Sequence, residues 1–327
     1  MIVETSSVQS DNGIQHHFSA DQRPSRFGGF IRLSLILSLC LQVEAGTKRI
    51  LVVGDSWAAF MTHPMTGEIF QHALNAEGYE EAEIVATEKT AVPGSRADQW
   101  ATNHKGKLDD LKHTLAANPT VDIAFVVIGG NDFLREAIKT NLSNLTAGDR
   151  ARLWAGVRTN IQTLVDAILA VRPSLKVVLC DYDYLNVAEA ARSPMKQSFN
   201  GIAQSDFNRY LVDLGREKRA IAEKSNRCLY IQNWGLMQYH LGDPEQKYEA
   251  KTVPYPGGSP AFDPYPGGDP MKPGPAKAFN QGALNDGIHL NPEGFRLIIE
   301  NALKQGLGAM LKTASPKTVK PETKPAS

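Results

Sequence analysis

The sequence predicts an α/β fold in which a parallel sheet is covered by helices on both faces. Two patterns carry that expectation. Short apolar runs at 50–53, 83–86, 121–128, 176–180 and 228–231 read as strands, the most hydrophobic of them buried on both faces. Segments with apolar residues at helical spacing separate these runs, and a strand–helix alternation of this kind builds a parallel sheet through right-handed crossovers. Five such strands suit a single flavodoxin-like three-layer α/β/α sandwich.

The first strand ends abruptly at Gly54-Asp55-Ser56, and Trp57-Ala58-Ala59-Phe60-Met61 favours helix. Pro64 and Gly67 interrupt that helix, which resumes with Ile69, Phe70, Ala73 and Leu74 and ends near Gly78. After the second strand comes a loop over 87–98, whose only glycine is Gly94. Leu108, Leu111 and Leu115 give a helix closed by Asn118-Pro119. The third strand ends in Gly129-Gly130-Asn131-Asp132, and a long helix follows with Leu153, Val157, Ile161, Leu164, Val165 and Ile168 on one face. Pro173 stops it before the fourth strand, and Ile202, Phe207, Leu211, Leu214 and Ile221 mark the helix before the fifth. In the last helix Asn291 is the expected cap and Pro292 the first residue, with Phe295, Ile298, Ile299 and Leu303 facing the core.

Three stretches fall outside this plan. Over residues 1–45 a polar lead passes into Arg26 and Arg32, an apolar run at 33–41 and small residues before Gly46, the pattern of a secretory signal cleaved after Ala45. A secreted or periplasmic protein is therefore expected, tethered to the membrane only if the signal is uncleaved; the apolar run is too short to span a bilayer. Within the expected domain at 46–313, residues 251–278 repeat Pro-Tyr-Pro-Gly-Gly and read as a surface insertion offering Tyr255, Phe262 and Tyr265 for stacking. Residues 314–327, rich in Pro, Lys and Thr, read as a disordered tail.

The formal net charge is zero with dispersed signs, which argues against a nucleic-acid partner. Cys180 and Cys228 fall on strands and read as buried free thiols. His63, His72, His104, His113 and His240 show no ligand spacing, so no metal is expected, and neither a dinucleotide fingerprint nor a P-loop follows the first strand, so no cofactor is.

Chemistry gathers where the strands end. In a doubly wound sheet the carboxyl ends of the first and third strands meet at the switch point, which brings Ser56 and Asn131 together. Asp55-Ser56 reads equally well as a helix cap or as a nucleophile on its own. What separates the two is a base, and His289 opens the last helix with Asp286 three residues before it, one tight turn from the imidazole. The Asn131 amide and the backbone N–H groups of Ser56 and Gly94 could then form an oxyanion hole. Trp57, Asp181, Tyr182 and Trp234 follow strand ends and are candidates for lining the cleft, while Asp55 and Asp132 read as turn holders.

Gly54-Asp55-Ser56, Gly94, Gly129-Gly130-Asn131-Asp132 and Asp286-Gly287-Ile288-His289 resemble, in order, the four blocks of the SGNH (GDSL-type) hydrolases, over residues about 48 to 295. The Gly94 loop matches only loosely, and Trp57 stands where an aliphatic residue is common. The resemblance implies an esterase with Ser56 as nucleophile, His289 as base, Asp286 as its orienting acid, and Ser56, Gly94 and Asn131 as the oxyanion hole. The expected function is an exported serine hydrolase acting on small-molecule or carbohydrate esters, with a short acyl group such as acetyl favoured. The alternatives are a lipid or aryl esterase, an O-acyltransferase and a non-catalytic binding module.

Overall fold

A computed structural model describes residues 46–312 apart from 64–65, 67, 141, 195, 197–198, 200, 243–266 and 283–284. The leader, the tail, and Tyr255, Phe262 and Tyr265 lie outside the described residues.

The strands are β1 (Thr47–Gly54), β2 (Ala82–Val85), β3 (Ile123–Val127), β4 (Lys176–Cys180) and β5 (Cys228–Ile231), in the spatial order β2-β1-β3-β4-β5 with every pairing parallel. Their order reverses between β1 and β3, so the chain leaves these neighbours in opposite directions and a crevice opens at their carboxyl ends. The residues 50–53 and 123–127 are fully buried, because both faces of the sheet are covered. On one face α1 (Ser56–Thr62) and α2 (Ile69–Ala76) pack together, and α2 also packs on α10 (Pro292–Ala302), which the short α9 (Leu236–Leu241) touches. On the other, α6 (Ala147–Leu169) packs on α3 (Ala97–Ala101), α4 (Lys107–Ala117) and α8 (Gln204–Ala222).

Among the helices not expected from the sequence, two stand beside the crevice. The loop after β2 carries the five-residue α3, and α5 (Gly130–Lys139) begins directly after β3, a 3-10 turn (Leu142–Asn144) before α6. One turn of helix shows no period, whereas α5 carries Phe133, Leu134, Ala137 and Ile138 at helical spacing and reads in the sequence as one with the long helix that follows it. The start of α6 is fixed by a capping box, in which Thr146 Oγ1 accepts from Asp149 N and Asp149 Oδ2 accepts from Thr146 N.

The described end of the proline- and glycine-rich insertion is fastened to the domain. Asn208 Nδ2 donates to the carbonyls of Pro270 (2.9 Å) and Lys272 (2.8 Å), and Gly274 N donates to Leu185 O at 3.1 Å. Cys180 is buried, Cys228 half-buried, and both are free thiols. Among the described residues no helix is long and apolar enough to cross a membrane.

Candidate active site

The turn that leaves β1 is shaped by Gly54. Its φ of 145° is closed to most side chains, and an added Cβ would lie 1.9 Å from Val127 O of the neighbouring strand. Asp55 N still donates to Val127 O at 3.0 Å, after which Asp55 caps α1 by accepting from Trp57 N at 3.0 Å. Ser56 is thereby the first residue of α1, half-buried at the mouth of the crevice.

His289 arrives from the far end of the chain. Asp286 folds its loop into an Asx turn, with Oδ1 accepting from the backbone N–H of Ile288 (2.9 Å) and His289 (2.8 Å). Asn186 N donates to Gly287 O at 2.9 Å, which ties this loop to the start of α7 (Val187–Ala190). Two residues later Asn291 caps α10 through Gly294 N at 2.9 Å, with Pro292 at the first helical position. Between these anchors the imidazole joins both partners: Nδ1 lies 2.5 Å from Asp286 Oδ2 and Nε2 lies 2.8 Å from Ser56 Oγ. The Phe60 ring stacks on the imidazole with centroids 4.6 Å apart and 24° between planes.

Asn131 sits in the first turn of α5. Its Nδ2 donates to Ser95 O at 3.1 Å and to Asp55 Oδ2 at 3.3 Å. Ser95 follows Gly94 in a loop braced by Ser95 Oγ on Gly54 O at 3.0 Å and Trp100 Nε1 on Ser95 Oγ at 3.2 Å. Gly94 itself is exposed, with a left-handed φ of 72° and open space around its α-carbon. Beside Ser56 is a cavity of about 30 Å³ whose lining includes Asn131, Phe133, Leu134, Leu211 and Ile288. Gly94 is not in that lining.

The profile of the GDSL-like lipase/acylhydrolase family matches residues 52–297, from within β1 to within α10. The chain belongs to this family. Its GDSL-type membership makes it an ester-bond hydrolase. No curated protein matches the sequence significantly. Among solved structures, a gut microbial diltiazem-metabolizing enzyme superposes with a TM-score of 0.50 at 13% identity, over 80% of this chain and 47% of its own. The Clostridium thermocellum family 3 carbohydrate esterase gives 0.42 at 16% identity, over 81% of this chain and 97% of its own. A carbohydrate acetylesterase family member from Sinorhizobium meliloti gives 0.43 at 17%, over 81% and 99%. At such identities the likeness concerns the fold.

Of the GDSL-type hydrolase's four strand-end candidates, the structure places two at the cavity and two away from it. Trp57 and Tyr182 line it, Trp57 meeting Tyr182 edge-on at 5.1 Å. Asp181 and Trp234 are sealed in the core, which corrects the expectation that they face the cleft. The ladder runs one residue past β4, since Asp181 N donates to Ile231 O at 3.0 Å. The Asp181 side chain therefore keeps the strand's alternation and points at α8, where Lys218 Nζ lies 3.2 Å away, with Tyr230 OH donating to it at 2.8 Å. Trp234 packs against Tyr230, on the same buried side.

Electrostatics separate the carboxylates. Burial alone would raise Asp286, but hydrogen bonds from the His289 ring and backbone hold it below the ordinary carboxylate range. Burial pushes Asp55 up, against hydrogen bonds from Tyr182 and Trp57 and the charge of Lys218. Burial likewise pushes Asp132 to about 7, although Ala97 N donates to it at 2.9 Å. Reading the sequence missed two contacts here. Phe60 could have been found from its place one turn after Ser56 on α1, whereas the bond between Tyr182 OH and Asp55 Oδ2, at 2.5 Å, joins residues 127 apart and left no sequence signal.

Proposed function

We propose that the chain is an exported serine esterase that removes short acyl groups, acetyl among them, from oxygen, with a carbohydrate ester as the favoured substrate. In this reading Ser56 is the nucleophile, His289 the general base and Asp286 the residue that fixes the imidazole. The observation that carries it is the unbroken line from Asp286 Oδ2 through His289 to Ser56 Oγ, with separations of 2.5 and 2.8 Å.

The chemistry follows from that line. Ser56 Oγ attacks the ester carbonyl carbon as its proton passes to His289 Nε2, and the Nδ1 hydrogen stays on the imidazole, donated to Asp286 Oδ2. The carbonyl oxygen, now negative, takes hydrogen bonds from Ser56 N, Asn131 Nδ2 and Gly94 N. Collapse of this intermediate breaks the bond to the alcohol oxygen, which leaves with the proton from Nε2. A water then gives a proton to the same nitrogen, attacks the acyl carbon and releases the acid, restoring Ser56. The short acyl group is supported by the small cavity beside Ser56, about 30 Å³, walled by Trp57, Phe133, Leu134, Leu211 and Ile288. Export is supported by the basic region, apolar run and small residues ahead of Gly46.

The test is fluorophosphonate labelling followed by an ester panel. Ser56 is expected to be the labelled residue, and Ser56→Ala to lose both label and turnover. Acetyl esters should exceed octanoyl esters by at least about tenfold in kcat/KM, because the small cavity leaves most of a longer chain outside it. Label on another residue would overturn the triad, and a preference for the longer chain would overturn the acyl assignment.

A further inference from the structure

The resting structure leaves the proposed oxyanion donor with no hydrogen to spare. A primary amide carries two N–H groups, and those of Asn131 are directed at Ser95 O and Asp55 Oδ2. A negative oxygen forming beside Ser56 can be served only if one of these bonds is given up. The two are unequal. Ser95 is anchored by its N–H on Val92 O at 3.0 Å and its hydroxyl on Gly54 O, and it accepts at 3.1 Å. The bond to Asp55 is longer, 3.3 Å, and its acceptor already has a better partner.

That partner is Tyr182. Its hydroxyl donates at 2.5 Å to the same Asp55 oxygen that Asn131 reaches, while the other carboxylate oxygen accepts from Trp57 N. Three donors thus face Asp55, which suits a carboxylate accepting through both oxygens. The same hydroxyl accepts from Gly130 N at 3.2 Å, one residue before Asn131, so the bonds form a chain in which each polarises the next. Burial and the neighbouring Asp55 keep the Tyr182 phenol well above its ordinary value, and it remains a donor. Lys218 Nζ, buried under the ring at 4.5 Å from its centroid, adds a positive charge beneath it.

We infer that Tyr182 is a positioning residue for ester hydrolysis: by saturating Asp55 Oδ2 it leaves one Asn131 amide hydrogen weakly held, to be transferred to the oxyanion as that charge develops. Without the phenol, Asp55 has only Asn131 on that oxygen and holds it in the resting position. The inference rests on the role proposed above for Asn131, and the test separates the two.

Kinetics of Tyr182→Phe, Asn131→Ala and the double variant on p-nitrophenyl acetate, as rapid acylation rate and as kcat and KM, form a double-mutant cycle. Asn131→Ala should cost about a hundredfold in kcat. Tyr182→Phe should cost roughly tenfold with KM nearly unchanged, the scale of one hydrogen bond lost from the transition state. In the Asn131→Ala background it should cost nothing further, because the amide it acts through is gone. An unaltered kcat for Tyr182→Phe, or the same loss in both backgrounds, overturns the inference while leaving Asn131 in place. Near-native turnover of Asn131→Ala instead removes the oxyanion role, and the Tyr182 inference with it. Should Tyr182→Phe not fold, a ring-fluorinated tyrosine at 182 keeps the shape and strengthens the donor. It should raise the acylation rate by about twofold, and an unchanged or lower rate overturns the inference.

Discussion

Ser56 and Phe60 stand one helical turn apart on α1, and both touch one imidazole. The serine hydroxyl meets His289 Nε2 at 2.8 Å and the phenyl ring covers its face at 4.6 Å. A half-buried imidazole pinned at both nitrogens can still rock about its ring axis, and the stacked ring limits that motion. The negative face of an aromatic ring also favours the imidazolium that the proposed attack by Ser56 would create. Phe60→Ala should therefore lower kcat by about tenfold with little change in KM, and steady-state kinetics on an acetyl ester would show whether it does. Asp286 acts on the other nitrogen. Asp286→Asn keeps an oxygen for the N–H groups of Ile288 and His289 and so should leave the melting temperature nearly unchanged. It removes the acceptor that fixes the Nδ1 tautomer, and kcat should fall by about four orders of magnitude. A mild loss in kcat would mean that another acceptor orients the ring.

At the scale of the element, the site depends on how strands end. Gly54 lets β1 turn against β3, and Gly54→Ala would drive a methyl group to 1.9 Å from Val127 O. Neither strand can yield without breaking the register that continues at Val53–Val126, so this variant should be destabilised by about 3 kcal/mol or more and show it in urea unfolding or in loss of soluble protein. The strands themselves were legible because each carries a short run of β-branched or aliphatic residues, and α10 because Asn291-Pro292 opens an amphipathic pattern. Helix α3 was not, since five residues are too few to establish a period. In α5, Phe133, Leu134, Ala137 and Ile138 do recur at helical spacing, but the sequence merges it with α6 into one long helix. The strand-end rule located Asp181 but could not orient it. Which way a residue points one step past a strand depends on whether the ladder continues, and here it does. Gly215 on α8 shows how closely that side is packed, since an added Cβ there would lie 2.0 Å from Asp181 Oδ2.

Across the whole molecule, what the sequence could reveal was an ordered set of short motifs whose meeting point the sheet topology dictates. What it could not reveal were contacts made in depth, such as Lys218 and Asp181, both at 0% exposure, or Tyr182 on Asp55. Buried charges of this kind give the folded chain a pH dependence that its zero formal net charge does not, because overall self-repulsion stays small near neutrality. Asp132 offers the clearest measurement. Burial raises its carboxyl from 3.8 to about 7 in the folded protein, so the native state holds this proton where the unfolded chain has lost it. Between those values stability falls as pH rises, and above about 7 the loss is complete. Asp132→Asn removes the titration, and its amide oxygen can still accept from Ala97 N, the bond that joins α3 to α5. The unfolding free energy of the variant minus that of the parent should therefore grow by about 2 to 3 kcal/mol between about pH 5 and about pH 8, measured by urea titration at each pH. The growth should level off at higher pH, where the folded carboxyl is already charged. A difference that stays flat from acid to alkali would mean that the Asp132 carboxyl titrates alike in the folded and unfolded chains, and that water or the neighbouring N–H groups solvate its charge as well as bulk solvent does.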